Sequence, residues 1–157
     1  MKKFELTVIT PERTTYEGLV GSLLLPAWEG ALGVLAGHAP ALILLKEGVA
    51  RTRDAQGREE ILSLSGGFAE ITPEKVTLFA ETAEMGLEID EERARLAIER
   101  AKESILKFRR HEKGAEEIDI EKARASLRRA LTRLRVAQYL TRAPRRAPPN
   151  ERSNLKT

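Results

Sequence analysis

Four arginines and two acids in the second half of the chain have the types and spacing for anion recognition. Arg93 and Arg100 stand seven residues apart and Arg129 and Arg133 four apart, so on helices each pair shares a face. Guanidiniums gathered by a folded chain repel one another unless an anion joins them, and their planar forks suit phosphate oxygens. Glu84 and Asp90 add acceptors for an amino group or a hydroxyl of the same ligand. No Gly-x-x-x-x-Gly-Lys-Ser/Thr loop occurs and no paired acids are positioned to hold magnesium. The pattern therefore implies binding without hydrolysis. The plainer alternative is that these arginines form surface pairs with Glu91, Glu92 and Glu99.

Two helices must carry these groups. Asp90 is a helix N-cap, and Glu91 and Glu92 put negative charge at the positive end of the helix dipole. Ala94, Ala97, Ile98, Ala101, Ile105 and Phe108 then recur three or four apart as one apolar stripe, with Leu96 and Leu106 off it. The helix is expected to end near Arg110, with Gly114 as the break. Asp119 caps a second helix whose stripe is Ile120, Ala123, Leu127, Ala130, Leu131, Leu134 and Ala137. The short connection makes the pair an antiparallel hairpin. Its seam is rich in alanine, which buries little area at roughly 25 cal/mol per Å². Such a hairpin is marginal alone and needs a partner, a ligand or the preceding unit.

That preceding unit reads as β. Phe4, Leu6 and Val8 alternate with Glu5, Thr7 and Ile9, and Pro11 ends the strand. Extended structure follows over Tyr16–Leu25, at Val34 and Leu35, and over Leu42–Leu45, Val49–Arg53, Glu60–Leu64, Ser65–Glu70 and Val76–Glu81. The polar tip Asp54-Ala55-Gln56-Gly57 makes a hairpin turn, and Pro73-Glu74-Lys75 makes another. Many short strands at close spacing predict a β-sandwich or a flattened barrel, with an aliphatic core because only 4% of residues are aromatic. The fold class is α+β, β first and then α.

Charge is divided unevenly. Met1–Ala83 holds 8 basic and 11 acidic residues out of 27 and 24, a net of −3; the remainder holds 19 and 13, a net of +6. An acidic partner for the second half follows. Its second helix carries Lys122, Arg124, Arg128, Arg129, Arg133, Arg135, Arg142, Arg145 and Arg146 against Glu121 alone. A stand-alone nucleic-acid-binding adaptor would use such a face. However, no aromatic stacking platform accompanies it, which leaves a plain solvated face or an acidic protein surface as the other readings. With no cysteine, disulfides and thiolate metal sites are excluded. No secretory pattern opens the chain, and the charge-free stretch Gly30–Leu45 is shorter than the ~20 residues a membrane span requires. A protein without direct bilayer insertion is expected. His38 reads as a turn histidine beside Gly37 and Pro40, and His111 is remote, so no metal site is expected. Thr141–Thr157 is basic and proline-rich, a composition that predicts disorder.

Three landmarks carry a family resemblance. Val8-Ile9-Thr10-Pro11-Glu12, the run Pro26-Ala27-Trp28-Glu29-Gly30-Ala31-Leu32-Gly33-Val34-Leu35-Ala36-Gly37-His38-Ala39-Pro40, and Leu64-Ser65-Gly66-Gly67-Phe68 resemble, in type and spacing, the ε subunits of F-type ATP synthases. The resemblance implies a two-sheet β-sandwich over residues 1–85 that grips the central stalk, and a regulatory helical hairpin over 86–141. It leaves the tail 142–157 uninterpreted. It implies no catalysis and no catalytic cofactor. The implied partners are the γ subunit, the c-ring, and the α and β subunits of the catalytic head, at the cytoplasmic face of the cell membrane. Trp28, Glu29, Ala31 and His38 fall in the region that meets the c-ring and stalk, with Ala31 replacing the acid usual in the family. Ile89-Asp90-Glu91-Glu92-Arg93-Ala94 resembles the family's ATP-sensing motif. With Glu84, Arg100, Arg129 and Arg133, it implies ATP as a regulatory ligand that relieves inhibition of ATP hydrolysis.

Overall fold

A computed structural model of the chain describes residues 2–54 and 56–142. The alternation at the start forms β1 (Phe4–Ile9), with Phe4, Leu6 and Val8 buried. It is followed by β2 (Thr14–Val20), β3 (Ser22–Ala27), β4 (Gly30–Leu35), β5 (Ala41–Arg53), β6 (Glu59–Ile71), β7 (Lys75–Ala80) and β8 (Ala83–Met85). Hydrogen bonding runs in the order β2-β1-β7-β6-β5-β3-β4, with β8 on β6; β1 and β7 are parallel.

Two long strands, rather than many short ones, organise this unit. Leu42–Leu45 and Val49–Arg53 are one strand, β5, and Glu60–Leu64 and Ser65–Glu70 are one strand, β6. Conversely, the single segment expected over Tyr16–Leu25 is two strands on either side of Gly21, and β3 continues through Pro26 to Ala27. β6 serves both layers by changing partners along its length. β6 pairs with β8 through Leu62–Leu64 and with β7 through Gly67–Ile71. Gly66 sits between these stretches and Gly67 opens the second, at φ 79° and 113°. At Gly67 a Cβ would lie 1.9 Å from the Phe79 carbonyl oxygen, so only glycine lets the strands approach there. The layers enclose Leu6, Val8, Leu23, Leu25, Val34, Leu62, Leu64 and Leu78. At the β5–β6 turn, Asp54 accepts from the Gln56 and Arg58 amides, at 2.9 Å each, and from Arg58 Nε at 2.6 Å. Desolvation raises the Asp54 carboxyl, but these hydrogen bonds outweigh it and hold it below the usual range.

α1 (Glu91–Arg109) begins where Asp90 Oδ1 accepts the Arg93 amide at 3.0 Å. α2 (Ile120–Arg142) begins with the same device, Asp119 Oδ1 accepting the Lys122 amide at 3.0 Å. The helices pack on each other, and α2 also lies across β5 and β6. Having two neighbours changes its buried set. Leu131, expected in the stripe, is exposed, as is Phe108 of α1, while Val136 and Thr132 are buried. A single-stripe reading allows for one packing partner, and α2 has two. Its last turns seat on the sheet through Val136 and Ala137 against Ile61 and Ile89, with Val49, Tyr139 and Leu140 alongside. Arg128 Nε donates to Glu47 at 2.8 Å, and the Tyr139 hydroxyl donates to Glu59 at 3.0 Å. Thr141 and Arg142, expected to belong to the disordered tail, are instead the last residues of α2, where the Thr141 hydroxyl donates to the Ala137 carbonyl at 3.0 Å; the rest of the tail, 143–157, lies outside the described residues.

Candidate functional site

A cavity of about 560 Å³ opens between the β unit and the hairpin, within the ~300–1,000 Å³ typical of small-molecule sites. Both units contribute walls. Register places Ser63 of β6 beside Glu84 of β8. Ser65 and Thr82 hydroxyls meet at 2.6 Å, forming a polar shelf on the sheet side. Ala97 of α1 and Ser126, Arg129 and Arg133 of α2 form the helical wall. Arg133 spans the gap: its Nη2 donates to Glu84 Oε1 at 3.1 Å, and its Nε lies 2.6 Å from Oε2. The Nε contact is an ion pair without hydrogen-bond alignment. Arg129 Nη2 donates to Ser126 Oγ at 3.2 Å.

The fold therefore brings together Glu84, Arg129 and Arg133 of the expected anion-binding set. Ile89 and Ala94 are buried and serve packing. Asp90 is occupied as the cap of α1, with Arg93 beside it at 3.5 Å and the Arg93 side chain 81% exposed. Arg100 is exposed and does not line the cavity. The sheet-side hydroxyls were missed by a search for charged groups. Their signal was present in Ile61-Leu62-Ser63-Leu64-Ser65, where serines occupy one face of an otherwise apolar strand.

A second feature lies on the other layer's outer face. Ile9, Phe79, Phe68 and Leu44 are successive cross-strand partners, and Trp28 follows Leu44 because its amide donates to the Leu44 carbonyl at 2.9 Å. The Phe68 and Phe79 rings stack with centroids 4.8 Å apart. Leu44 is 58% exposed and Trp28 66% exposed, so Trp28 does not fill the core. Glu29 and Ala31 are exposed at the adjoining β3–β4 turn. His38 has its Nδ1 2.8 Å from the Ala39 carbonyl and its amide on Leu35, the contacts of a turn residue. Among the described residues no group of three or more metal-ligating side chains occurs, and no helix is long and apolar enough to cross a membrane.

Residues 3–86 match the family model for the β-sandwich domain of the ATP synthase delta/epsilon chain, and residues 88–138 match the model for its long α-helix domain. The chain belongs to the ATP synthase delta/epsilon family. It is 41% identical to the ATP synthase epsilon chain of Moorella thermoacetica over 137 residues, 87% of this chain and 98% of that one. It is 38% identical to the epsilon chain of Bacillus pumilus over the same shares. Its fold is similar to a chain in the mitochondrial ATP synthase of Euglena gracilis, with a TM-score of 0.66, 23% identity, and 80% and 76% of the two chains covered. The β-sandwich followed by two helices is thus the architecture of this delta/epsilon family. Of the family member's basic α2 face, Arg124, Arg128 and Arg133 are engaged by Glu121, Glu47 and Glu84.

Proposed function

We propose that this chain is the non-catalytic ε subunit of a proton-translocating F-type ATP synthase. Its sandwich couples the central stalk to the c-ring, and its hairpin restrains ATP hydrolysis when it leaves the sandwich. ATP is the regulatory ligand that holds the hairpin down. The observation that carries this reading is the cavity whose walls come from both units, with Arg129 and Arg133 on one side and Glu84 on the other. A ligand touching both walls binds only the docked posture, and it shifts the population towards that posture by its differential affinity.

Other features support the partners. The row from Ile9 to Trp28, in which the Phe68 and Phe79 rings stack and Phe68, Leu44 and Trp28 are exposed, is an apolar surface suited to the γ subunit, with aromatic residues of the kind that anchor interfaces. Trp28 and Glu29 at the β3–β4 turn are the groups offered to the c-ring, where Ala31 supplies no charge. The basic α2 face suits acidic surfaces of the α and β subunits. Relatives bearing the epsilon-chain name, and a fold neighbour in the Tetrahymena thermophila central stalk and c-ring, agree with a stalk position. The absence of a membrane-spanning helix among the described residues is compatible with a peripheral place on the cytoplasmic face of the membrane.

Calorimetric titration of the purified chain with ATP tests the ligand. Saturable binding without turnover is expected; no heat of binding would remove the regulatory role. Co-purification with γ tests the rest, and a chain that does not associate with γ overturns the stalk assignment.

A further inference from the structure

We infer that Tyr139 fastens the last turns of α2 to the sheet, as a latch that stands apart from the cavity and sets how readily the hairpin lifts when no ligand is bound. The inference rests on the docked and lifted postures proposed above, and it assigns their balance to a second set of contacts.

Tyr139 is half-buried, and three contacts converge on its side chain. It packs beside the seam of Ile61, Ile89, Val136 and Ala137. Arg51 of β5 stands over its ring, the guanidinium carbon 4.3 Å from the centroid, inside the ~6 Å at which a cation is drawn to an aromatic face. Its hydroxyl donates to Glu59 Oε2 of β6 at 3.0 Å. One α2 side chain thus engages both long strands. The receiving groups are placed by the sheet itself. Arg53 and Glu59 are cross-strand partners, with Arg53 Nη2 3.6 Å from Glu59 Oε1, which leaves the other carboxylate oxygen to the tyrosine. Arg51 and Arg53 alternate along β5 with Val49, on the face that carries the seam.

Position separates the latch from the ligand. Tyr139 lies six residues beyond Arg133, about 9 Å further along the helix axis. Arg51, Arg53, Glu59 and Tyr139 contribute nothing to the cavity walls. The Tyr139 contacts exist only while α2 is docked, so they bias the balance of postures without altering the affinity of the docked one. Tyrosine suits this task, because its rigid apolar body packs while its polar tip keeps a partner. The pairs of Arg128 with Glu47 and Arg133 with Glu84 also join α2 to the sheet, but through long, partly solvated side chains that salt screens.

Amide exchange through Val136–Leu140 of the full chain, without nucleotide, tests the latch. The variants are Tyr139→Leu, which keeps an apolar body, and Arg51→Met, which keeps an unbranched stem. Each is expected to speed exchange there by about fivefold, the worth of one partly exposed cation–π contact, while β1 and β7 keep their protection. Arg51→Met should add nothing to Tyr139→Leu, because its partner is already gone. The same ratios to wild type are expected in saturating ATP, since neither group touches the cavity. Unchanged exchange in both variants overturns the latch. So do full additivity in the double variant, equal acceleration in β1 and β7, or ratios that collapse when ATP is added. If α2 of the wild-type chain exchanges only as slowly as β1 and β7, the hairpin does not lift by itself, and the two-posture reading falls together with the latch. Failure of the variants alone leaves that reading standing.

Discussion

Arg133, like Arg128 with Glu47, pairs α2 with an acid of the β unit, and its value lies in recognition more than in stability. Its pair with Glu84 is about a third exposed on both sides, so solvent screening limits its contribution to about 1 kcal/mol or less. Arg133→Ala is therefore expected to weaken ATP binding by at least about tenfold, the scale of a lost charge-assisted contact, while the thermal midpoint moves little; calorimetry and thermal unfolding read the two effects separately. Asp90 has the opposite balance. It caps α1 through the Arg93 amide, so Asp90→Ala should cost about 1 kcal/mol of stability, visible in urea unfolding. Arg93 is fully outside the cavity and solvated in the docked posture. Arg93→Ala should weaken ATP binding if the motif at the start of α1 reaches the ligand, and an unchanged titration would confine binding to the α2 arginines.

α2 does two tasks and α1 one. α2 packs on α1 and on the sheet, so α1 is held through its partner helix. The seat of α2 depends on Gly86, where an added Cβ would stand 2.7 Å from Leu140 Cδ1, 2.9 Å from Val136 Cγ1 and 3.0 Å from the Ile61 carbonyl oxygen. Two of those atoms belong to α2 and one to the β6 backbone, so an added Cβ meets both elements at once. Gly86→Ala should cost about 1–3 kcal/mol of overpacking, taken up by lifting α2. Amide exchange would then accelerate through Val136–Leu140 while β1, β6 and β7 keep their protection. Uniform acceleration across the chain would instead mean that the substitution destabilises the sandwich itself.

The molecule as a whole is a rigid platform with a lightly attached hairpin. The seam beneath α2 rests on one small cluster, Ile61, Ile89, Val136 and Ala137, while the sandwich encloses a core several times larger. Stability is therefore unevenly distributed, and the hairpin should open at lower free energy than the sandwich unfolds. Small-angle scattering with and without ATP is expected to record a larger radius of gyration when ATP is withdrawn; one unchanged profile would argue against a ligand-controlled posture. On the opposite layer, Phe68→Asp replaces a 43%-exposed ring in the apolar row with a charge. It should abolish co-purification with γ without loss of folding, as judged by an unchanged circular dichroism melt.

Local patterns were sufficient for the parts that depend on neighbours in the chain. The Phe4–Leu6–Val8 alternation, the caps at Asp90 and Asp119, the Asp54–Gly57 turn and the break at Gly114 are each decided within a few residues, where backbone geometry and short-range hydrogen bonds act. The family landmarks likewise lie in contiguous runs. What the sequence did not disclose is whatever depends on two distant segments touching. Ser63, Ser65 and Thr82 become a polar shelf only because β6 and β8 pair in one register beneath α2. Leu131 is turned outwards and Val136 inwards because α2 meets both α1 and the sheet. Arg93 and Arg129 appear equivalent along the chain, yet only Arg129 lines the cavity. A residue's type and spacing set what chemistry it can do; which other groups it does it with is settled by long-range packing, where burial area and charge are decided jointly by elements far apart in sequence.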